Sequence, residues 1–542
     1  MGDDRHHTAT ATGPSAWPVA LLAGGLAGLA LPPLGMPPML WPALAVLWGL
    51  AGDPPDQGPP QPVQAPAQGS HALRSGGAAA GCRWDGLAWG MAAVLVSHRW
   101  LLWLHPLDWV GVPLPLSLPL CVLLWLGCGL LGGALVQLWW LLMRRWDASR
   151  GATALAGACL WGLTEVLLAQ GPLFWIGLGG SALPGDRALA GLAALGGAGL
   201  VAMVQLLLGW CLWRLWGHWR LKGAAGLRPW LLLALLLVVG SHGLGLGALA
   251  WIEAEGRAEE RRPAAAETLL VVQPAIPTRQ KFEAAQQRRL LEQLAAAQGR
   301  GAALAADGAM VGLVLPEGSL AVDQPLPLRA PQEVLSGGFR RQAEELRSSL
   351  LRFPPDSRVP LGWIDKHRLV PLGEWVPLAS LWRWSGLSAV GGVEPGEPSR
   401  LLRRPAGAIG VAICYEIADG RALAGASRAG GLWLLASANL DPYPALLQEQ
   451  FLALARLRAI ENGRWLVAAA NTGPSVAVDA IGRVRQRLPA GQPAEALIQV
   501  SQRNGLTPYG RWGEGPLLAL LLLAAAQRLG WFRTRRPPGR PR

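Results

Sequence analysis

Three polar residues punctuate apolar runs in the C-terminal half of the chain, and as a set they suit acyl transfer. The run Gly407-Ala-Ile-Gly-Val-Ala-Ile413 ends in Cys414-Tyr415-Glu416, which puts a thiol at the mouth of a predicted buried strand. Val314-Leu315-Pro316-Glu317 puts a carboxylate just beyond a second such run. Trp363-Ile364-Asp365-Lys366-His367 puts an amine beyond a third. A carboxylate can take the thiol proton as general base. An ammonium group lowers a neighbouring thiol's pKa and stabilises a developing oxyanion. The thiolate then attacks a carbonyl and holds the acyl group as a thioester, which splits one hard step into two easier ones. Taken singly, each residue has a plain explanation: a helix cap, an ion pair, a small core filler. Three of them at three strand exits favour chemistry, because loops outside strand ends are where α/β sheets bind ligands.

Lys366 is also rare here. Of the 48 basic residues only Lys222, Lys281 and Lys366 are lysines. Lysine offers what arginine does not, a compact point charge that can change protonation state. Cys82, Cys121, Cys128, Cys159 and Cys211 lie in or beside hydrophobic segments, where a thiol serves as apolar filler. No spacing reads as a disulfide framework, a zinc site or a phosphate-binding loop, so neither a metal nor a cofactor is expected. The only histidine between residues 252 and 514 is His367, which argues against a Cys–His protease.

These residues need a frame. Leu269–Gln273, Val311–Leu315, Val359–Ile364, Ala408–Cys414, Leu432–Ser437, Trp465–Ala470 and Val476–Asp479 are short apolar runs expected as strands. Gln286–Gln298, Gln332–Leu350 and Ala445–Asn462 carry helical patterns. Alternating strands and helices over residues 252–514 imply one α/β domain, and about 260 residues suffice for a single core.

The rest is membrane-like. The chain has 542 residues, 51% of them hydrophobic and 15% charged. Stretches near 17–34, 37–52, 87–104, 116–142, 152–171, 189–213, 229–251 and 515–532 approach the ~20 residues that span a bilayer. The second is short enough to be re-entrant. The domains expected are therefore 1–251 with about seven helices, 252–514 soluble, and 515–542 a last helix with a basic tail. Residues 53–81, rich in Pro, Gln, Gly and Ala, read as a flexible cytoplasmic linker. Arginines cluster at one set of loop ends, from Arg144, Arg145 and Arg150 to the tail Arg533–Arg542. By the positive-inside rule both termini are cytoplasmic and residues 252–514 lie outside. The same rule accounts for the net charge of +13 without nucleic acid. His98, Arg99 and Glu165 are ionisable residues in or near crossings, where charge is costly.

The order Glu…Lys…Cys resembles the carbon–nitrogen hydrolase (nitrilase) superfamily. More narrowly, Asp365-Lys-His-Arg-Leu-Val-Pro-Leu-Gly-Glu-Trp-Val-Pro377 resembles the lysine loop of bacterial apolipoprotein N-acyltransferases. So do Ile413-Cys-Tyr-Glu416, Ala455-Arg-Leu-Arg-Ala-Ile-Glu461, Asn471-Thr-Gly473 and Gly505-Leu-Thr-Pro-Tyr-Gly510. The resemblance covers nearly the whole chain and implies an α-β-β-α sandwich attached to a polytopic membrane domain of about eight crossings. It makes Glu317 the base, Lys366 the oxyanion stabiliser and Cys414 the nucleophile. Glu374 matches a second glutamate that orients or compensates the lysine, and Tyr415, Glu416 and Asn439 match supporting positions. The chain departs from the pattern in three places. Ser437-Ala-Asn-Leu-Asp-Pro-Tyr-Pro444 replaces an Asn-Asp-Ala-Trp-Phe-Gly stretch, Gln450-Phe451 replaces Gln-His, and Phe282 stands where tryptophan is usual. Phe282, Trp375, Trp382 and Tyr443 are candidate lipid contacts.

The implied reaction is ping-pong at the bacterial inner membrane. A glycerophospholipid donates its acyl chain to Cys414, and the N-terminal amine of a diacylglyceryl-apolipoprotein accepts it. Two other readings compete: a membrane-tethered amidase that passes the thioester to water, and a transporter or scaffold with a degenerate binding domain.

Overall fold

The computed structural model describes residues 16–52, 84–108, 112–260, 266–280, 283–306, 311–371, 373–375 and 392–534. A chain in lipid must satisfy its backbone polar groups internally, and the apolar N-terminal half does so as helices. They are α1 (Trp17–Leu29), α2 (Pro37–Ala51), α3 (Asp85–Ser97), α4 (Leu114–Arg145), α5 (Gly151–Ala169), α6 (Ala193–Lys222) and α7 (Arg228–Glu260). The helices α4 to α7 are each long and apolar enough to cross a bilayer; α1, α2 and α3 are apolar but shorter. In α6, 78% of the apolar window is buried, against 17% in α4 and α7. So α6 is the centre of the bundle, and Leu123, Leu130, Leu232 and Leu236 belong to apolar outer faces suited to lipid.

Two six-stranded sheets form a sandwich in the C-terminal half. Its first part runs β1 (Ala266–Gln273), α8 (Ala284–Ala306), β2 (Val311–Val322), β3 (Val334–Gln342), β4 (Glu345–Phe353) and β5 (Gly362–Asp365). Then come β6 (Leu401–Leu402), β7 (Ile409–Ile413), α9 (Gly420–Arg428), β8 (Leu434–Ala438), α10 (Ala445–Asn462) and β9 (Leu466–Ala470). The strands β10 (Val476–Val478), β11 (Val484–Arg487) and β12 (Ala494–Ser501) close it. A last apolar helix, α11 (Gly515–Thr534), returns to pack on α5. Strand order is β12-β1-β2-β3-β4-β5 in one sheet and β11-β10-β9-β8-β7-β6 in the other. Each sheet has a parallel centre, β1-β2-β3 and β7-β8-β9.

Successive side chains on a strand point to opposite faces, so each central strand feeds two cores. Leu269 and Val271 of β1 meet Val411, Ile413, Leu435 and Val467 between the sheets, while Leu270 and Val272 turn toward Leu294 and Ala297 of α8. On the far side of the second sheet, Leu434, Ala436, Leu466 and Ala468 share one continuous core with α10 and the membrane helices. This is why α10 is buried on nearly every side, from Leu447 through Phe451 and Leu454 to Ile460. Its two ends are tied to the bundle. Gln450 Nε2 donates to Ser97 O at 2.9 Å. At the other end Glu461 Oε1 accepts the Ala198 N–H at 2.9 Å, a donor freed where Gly197, at φ +73°, breaks α6. The helix α7 continues to Glu260, where Glu259 accepts the N–H groups of Asn504 and Gly505.

One predicted element is wrong in kind. Residues 332–350, expected as a helix, form the β3–β4 hairpin, paired from Val334↔Phe353 to Gln342↔Glu345 around Ala343 at φ +55°. Arg, Gln, Ala, Glu and Leu are good helix formers, but the register puts Val334 to Gly338 and Ser348 to Leu351 inside. Tertiary burial on both faces overrides propensity there. The hairpin matters to the site. A Cβ on Gly337 would lie 2.4 Å from both Glu317 Cα and Pro316 O. Only glycine lets β3 pass this close to the irregular stretch of β2 that carries Glu317. Gly337→Ala is expected to lower stability by about 1–3 kcal/mol and displace Glu317. Thermal unfolding and activity of the purified variant check this; an unaltered protein in both assays refutes the close-approach argument.

Candidate active site

The chain turns sharply at the end of β7. Cys414 sits at φ +56°, a left-handed conformation that residues with a Cβ avoid, at the head of the short turn Cys414–Ala418. Such a conformation costs about 1–3 kcal/mol and persists only where neighbours impose it. Here Glu416, buried, imposes it. Its carboxylate accepts the Ile413 N–H at 2.9 Å, the His367 N–H at 2.7 Å and the Arg368 N–H at 3.1 Å. It also pairs with Arg400 Nη1 at 3.0 Å. One side chain thus ties the thiol's turn to the lysine loop.

Lys366 leaves the end of β5 with its own N–H on Ser348 O of β4 at 2.7 Å. The side chain is 1% exposed. Its Nζ lies 2.9 Å from Glu317 Oε1 and 2.7 Å from Glu374 Oε1. Glu374 Oε2 accepts the Val370 N–H at 2.9 Å, and Glu317 Oε2 accepts the Asn439 N–H at 3.2 Å. Glu317 lies not beyond β2, as expected, but within it, where the pairing to β3 shifts register between Leu315 and Leu320. The bulge re-aims its side chain toward the lysine.

Electrostatics follow from one buried cation shared by two carboxylates. Burial alone pulls the lysine's pKa down, but the carboxylates of Glu317 and Glu374 beside it favour the charged form, and the ammonium is held well above its ordinary range. Burial pushes the Glu374 carboxyl up; Lys366 opposes that and Glu317 adds to it. The thiol departs from expectation. Burial raises the pKa of Cys414, the charge of Glu317 raises it further, and Lys366 only partly offsets both. The resting thiol is therefore neutral.

The supporting residues divide. Tyr415 turns its hydroxyl to Leu369 O at 2.9 Å, and its ring lies 5.9 Å from Lys366 Nζ and 4.7 Å from Arg368 Cζ. Asn439 reaches Glu317 through its backbone, while its side-chain Oδ1 accepts from Asn471 Nδ2 at 2.7 Å. Tyr443 stands in the altered loop, with its ring 5.4 Å from Trp100 of the membrane domain. Trp375 is exposed at the rim beside Glu374. Phe282 and Trp382 lie outside the described residues. Among the ionisable residues of the apolar helical half, Glu165 accepts from Trp161 Nε1 at 2.8 Å and Leu178 N at 2.9 Å, and Arg99 donates to Val96 O at 2.7 Å. Both serve the bundle. Sequence reasoning missed Arg400, which nothing distinguishes among so many arginines, and gave no role to Arg368 within the lysine loop. Among the described residues, no group of three or more His, Cys, Asp and Glu is placed to hold a metal ion.

The carbon-nitrogen hydrolase family matches residues 334–503, which take in Lys366 and Cys414 but begin after Glu317. A Prochlorococcus marinus (strain MIT 9313) protein named apolipoprotein N-acyltransferase is 48% identical over 456 residues, 82% of this chain and 88% of that one. Its namesake from Parasynechococcus marenigrum (strain WH8102) is 44% identical over 91% of this chain and 96% of its own. Among solved structures, Saccharomyces cerevisiae Nit3, of the nitrilase superfamily, aligns with 44% of this chain and 90% of its own, at 16% identity and a TM-score of 0.34.

The shifted thiol gives a test independent of turnover. A raised pKa leaves less thiolate at any given pH than a free cysteine has, so alkylation of Cys414 by iodoacetamide should rise only above the ordinary thiol range near pH 8.5. Glu317→Gln removes one of the charges that hold the pKa up, so the profile should move to lower pH. A profile that stays put or moves upward contradicts the placement of Glu317 beside the thiol.

Proposed function

The chain belongs to the apolipoprotein N-acyltransferases, and from that premise we propose how its own residues carry the reaction. The enzyme transfers an acyl chain from a membrane phospholipid, through a cysteine thioester, to the N-terminal amine of diacylglyceryl-cysteine on apolipoproteins. In the first half-reaction Glu317 takes the Cys414 proton as sulfur attacks the ester carbonyl. Negative charge gathers on the carbonyl oxygen, where the buried Lys366 ammonium stabilises it; in so dry a site that attraction is far stronger than in water. Collapse expels the lysophospholipid, whose oxygen recovers the proton from Glu317. In the second half-reaction the acceptor amine attacks the thioester and gives a proton to Glu317. Cys414 leaves as thiolate and takes that proton back, so no net charge accumulates. Glu374 holds Lys366 in place from the side away from Glu317. Glu416 and Tyr415 position the two loops.

The observation that carries this reading is the single ammonium between Glu317 and Glu374, beside a thiol held at positive φ. The membrane frame completes it. We assign eight crossings to the apolar helices, with residues 1–251 supplying seven and residues 515–542 the last helix and a basic cytoplasmic tail. The catalytic domain, residues 252–514, then faces the outer side of the bacterial inner membrane. The exposed Trp375 and the Tyr443 loop stand on the route for the lipid. Membership over most of the chain favours an amine acceptor over water.

Purified protein incubated with phospholipid should carry an acyl group on Cys414 by mass spectrometry, and lose it when a diacylglyceryl lipopeptide is added. Glu317→Gln should slow loading by about 10²–10⁴-fold, and Lys366→Ala by at least about 10²-fold. Loading of Glu317→Gln at the wild-type rate removes the base assignment. Absence of any acyl group on the wild-type thiol, with phospholipid demonstrably bound, defeats the whole cycle.

A further inference from the structure

We propose that Arg368 binds the phosphate of the phospholipid donor and so favours phosphate-bearing glycerides over phosphate-free ones; this rests on the acyl-transfer reading above. Arg368 follows Lys366 by two residues, and its guanidinium lies over the same Tyr415 ring that Lys366 approaches. It therefore stands at the edge of the reaction centre without joining the ammonium–carboxylate cluster. Its Nη2 donates to the carbonyl of Gly171, in the loop that follows α5. The guanidinium thus sits at the seam between the catalytic domain and the membrane domain, where a lipid's polar region meets the thiol.

What remains of the guanidinium is unused. Nε and Nη1 are shut away from solvent and have no hydrogen-bond partner. Neither nearby carboxylate hydrogen-bonds those two nitrogens: Glu416 is taken by Arg400 and three backbone N–H groups, and Asp419, which feels the charge of Arg368, accepts the Ala422 N–H at 3.1 Å. Buried N–H groups of a permanent cation, left unmatched, are costly unless a ligand satisfies them. A planar guanidinium suits a phosphate oxygen pair better than any other side chain does, and the Tyr415 ring beneath fixes its plane. In a glycerophospholipid the phosphorus is only a few bonds from either ester carbonyl. An anion contact at Arg368 would hold the carbonyl near Cys414 and choose the donor by its phosphate.

The test compares two donors with identical acyl chains, a phosphatidylethanolamine and the corresponding diacylglycerol, presented to the full-length protein in detergent micelles. The rate of acyl loading on Cys414 is followed by mass spectrometry. Wild type should load faster from the phospholipid. Arg368→Gln should reduce that preference by about 10–100-fold, the range expected for losing a charge-assisted hydrogen bond. Arg368→Lys, which keeps the charge but not the fork, should restore part of it. A variant that slows both donors by the same factor reduces Arg368 to a brace for Tyr415 and overturns the proposal. Equal loading of wild type from both donors overturns it too, and leaves acyl transfer standing. Failure of wild type to load from either donor is a different result, because it brings down the acyl-transfer reading and this inference with it.

Discussion

One dry ammonium between two carboxylates governs the arrangement of the site. Lys366 is as buried as any core leucine, yet its charge persists because Glu317 and Glu374 stand within hydrogen-bond distance. Taking away one partner of a buried pair typically costs about 3–5 kcal/mol, because the other is left charged in a poor solvent. The cluster can exist only if three pieces of chain arrive together. Glu317 comes from a bulge in β2, Lys366 from the end of β5, and Glu374 from the loop beyond it. The thiol arrives from β7 on the opposing sheet, so the distance between the sheets, set by side chains such as Leu269, Val271, Val411 and Ile413, also sets how the thiol stands relative to the ammonium.

The same logic extends to the membrane. A soluble sandwich would cover its second sheet with an amphipathic helix whose outer face meets water. Here α10 is apolar on that outer face as well and fuses the sheet to the helical bundle in one core. Ser97, Ala198 and Gly171 of the bundle each accept or donate a hydrogen bond across the seam. The strands that hold the thiol therefore cannot rotate relative to the bundle without breaking buried polar contacts. For an enzyme whose donor is a lipid, this fixes the approach of the ester relative to sulfur.

How far the sequence discloses all this depends on the kind of signal. Cys414, Glu317 and Lys366 were legible because each is a chemically distinctive residue at the end of an apolar run, and Lys366 is one of three lysines in an arginine-rich chain. The apolar helices were legible from hydropathy alone. The β3–β4 hairpin was not, because its residues favour helix locally and only pairing with β2 and β5 makes them strand. Arg400 carries no local mark, and Arg368, though inside the lysine loop, has no distinctive role there until the fold shows whom it meets. Asn439 was legible as a position but not as a mechanism: its backbone N–H, which every non-proline residue has, does the work at Glu317. The acidity of Cys414 was misjudged because a lysine neighbour suggests a lowered pKa, whereas burial and Glu317 together outweigh it.

In the proposed cycle one base suffices for two half-reactions because the thiol is protonated at rest. A preformed thiolate beside Glu317 and Glu374 would put a third negative charge around a single ammonium, and burial penalises each of them. Keeping sulfur protonated until an ester is in place leaves the resting cluster better balanced and makes proton transfer part of the attack. In the proposed cycle Glu317 then holds one proton only while the tetrahedral intermediate exists, and returns it to the departing oxygen. The amine half-reaction needs the same service in the same order: a proton taken from the nucleophile, then given to the leaving group, which is now Cys414 itself. Because Lys366 keeps its charge throughout, both intermediates meet the same ammonium. In that proposal the rare lysine is the fixed element of the cycle, and the glutamate beside it the one that changes state.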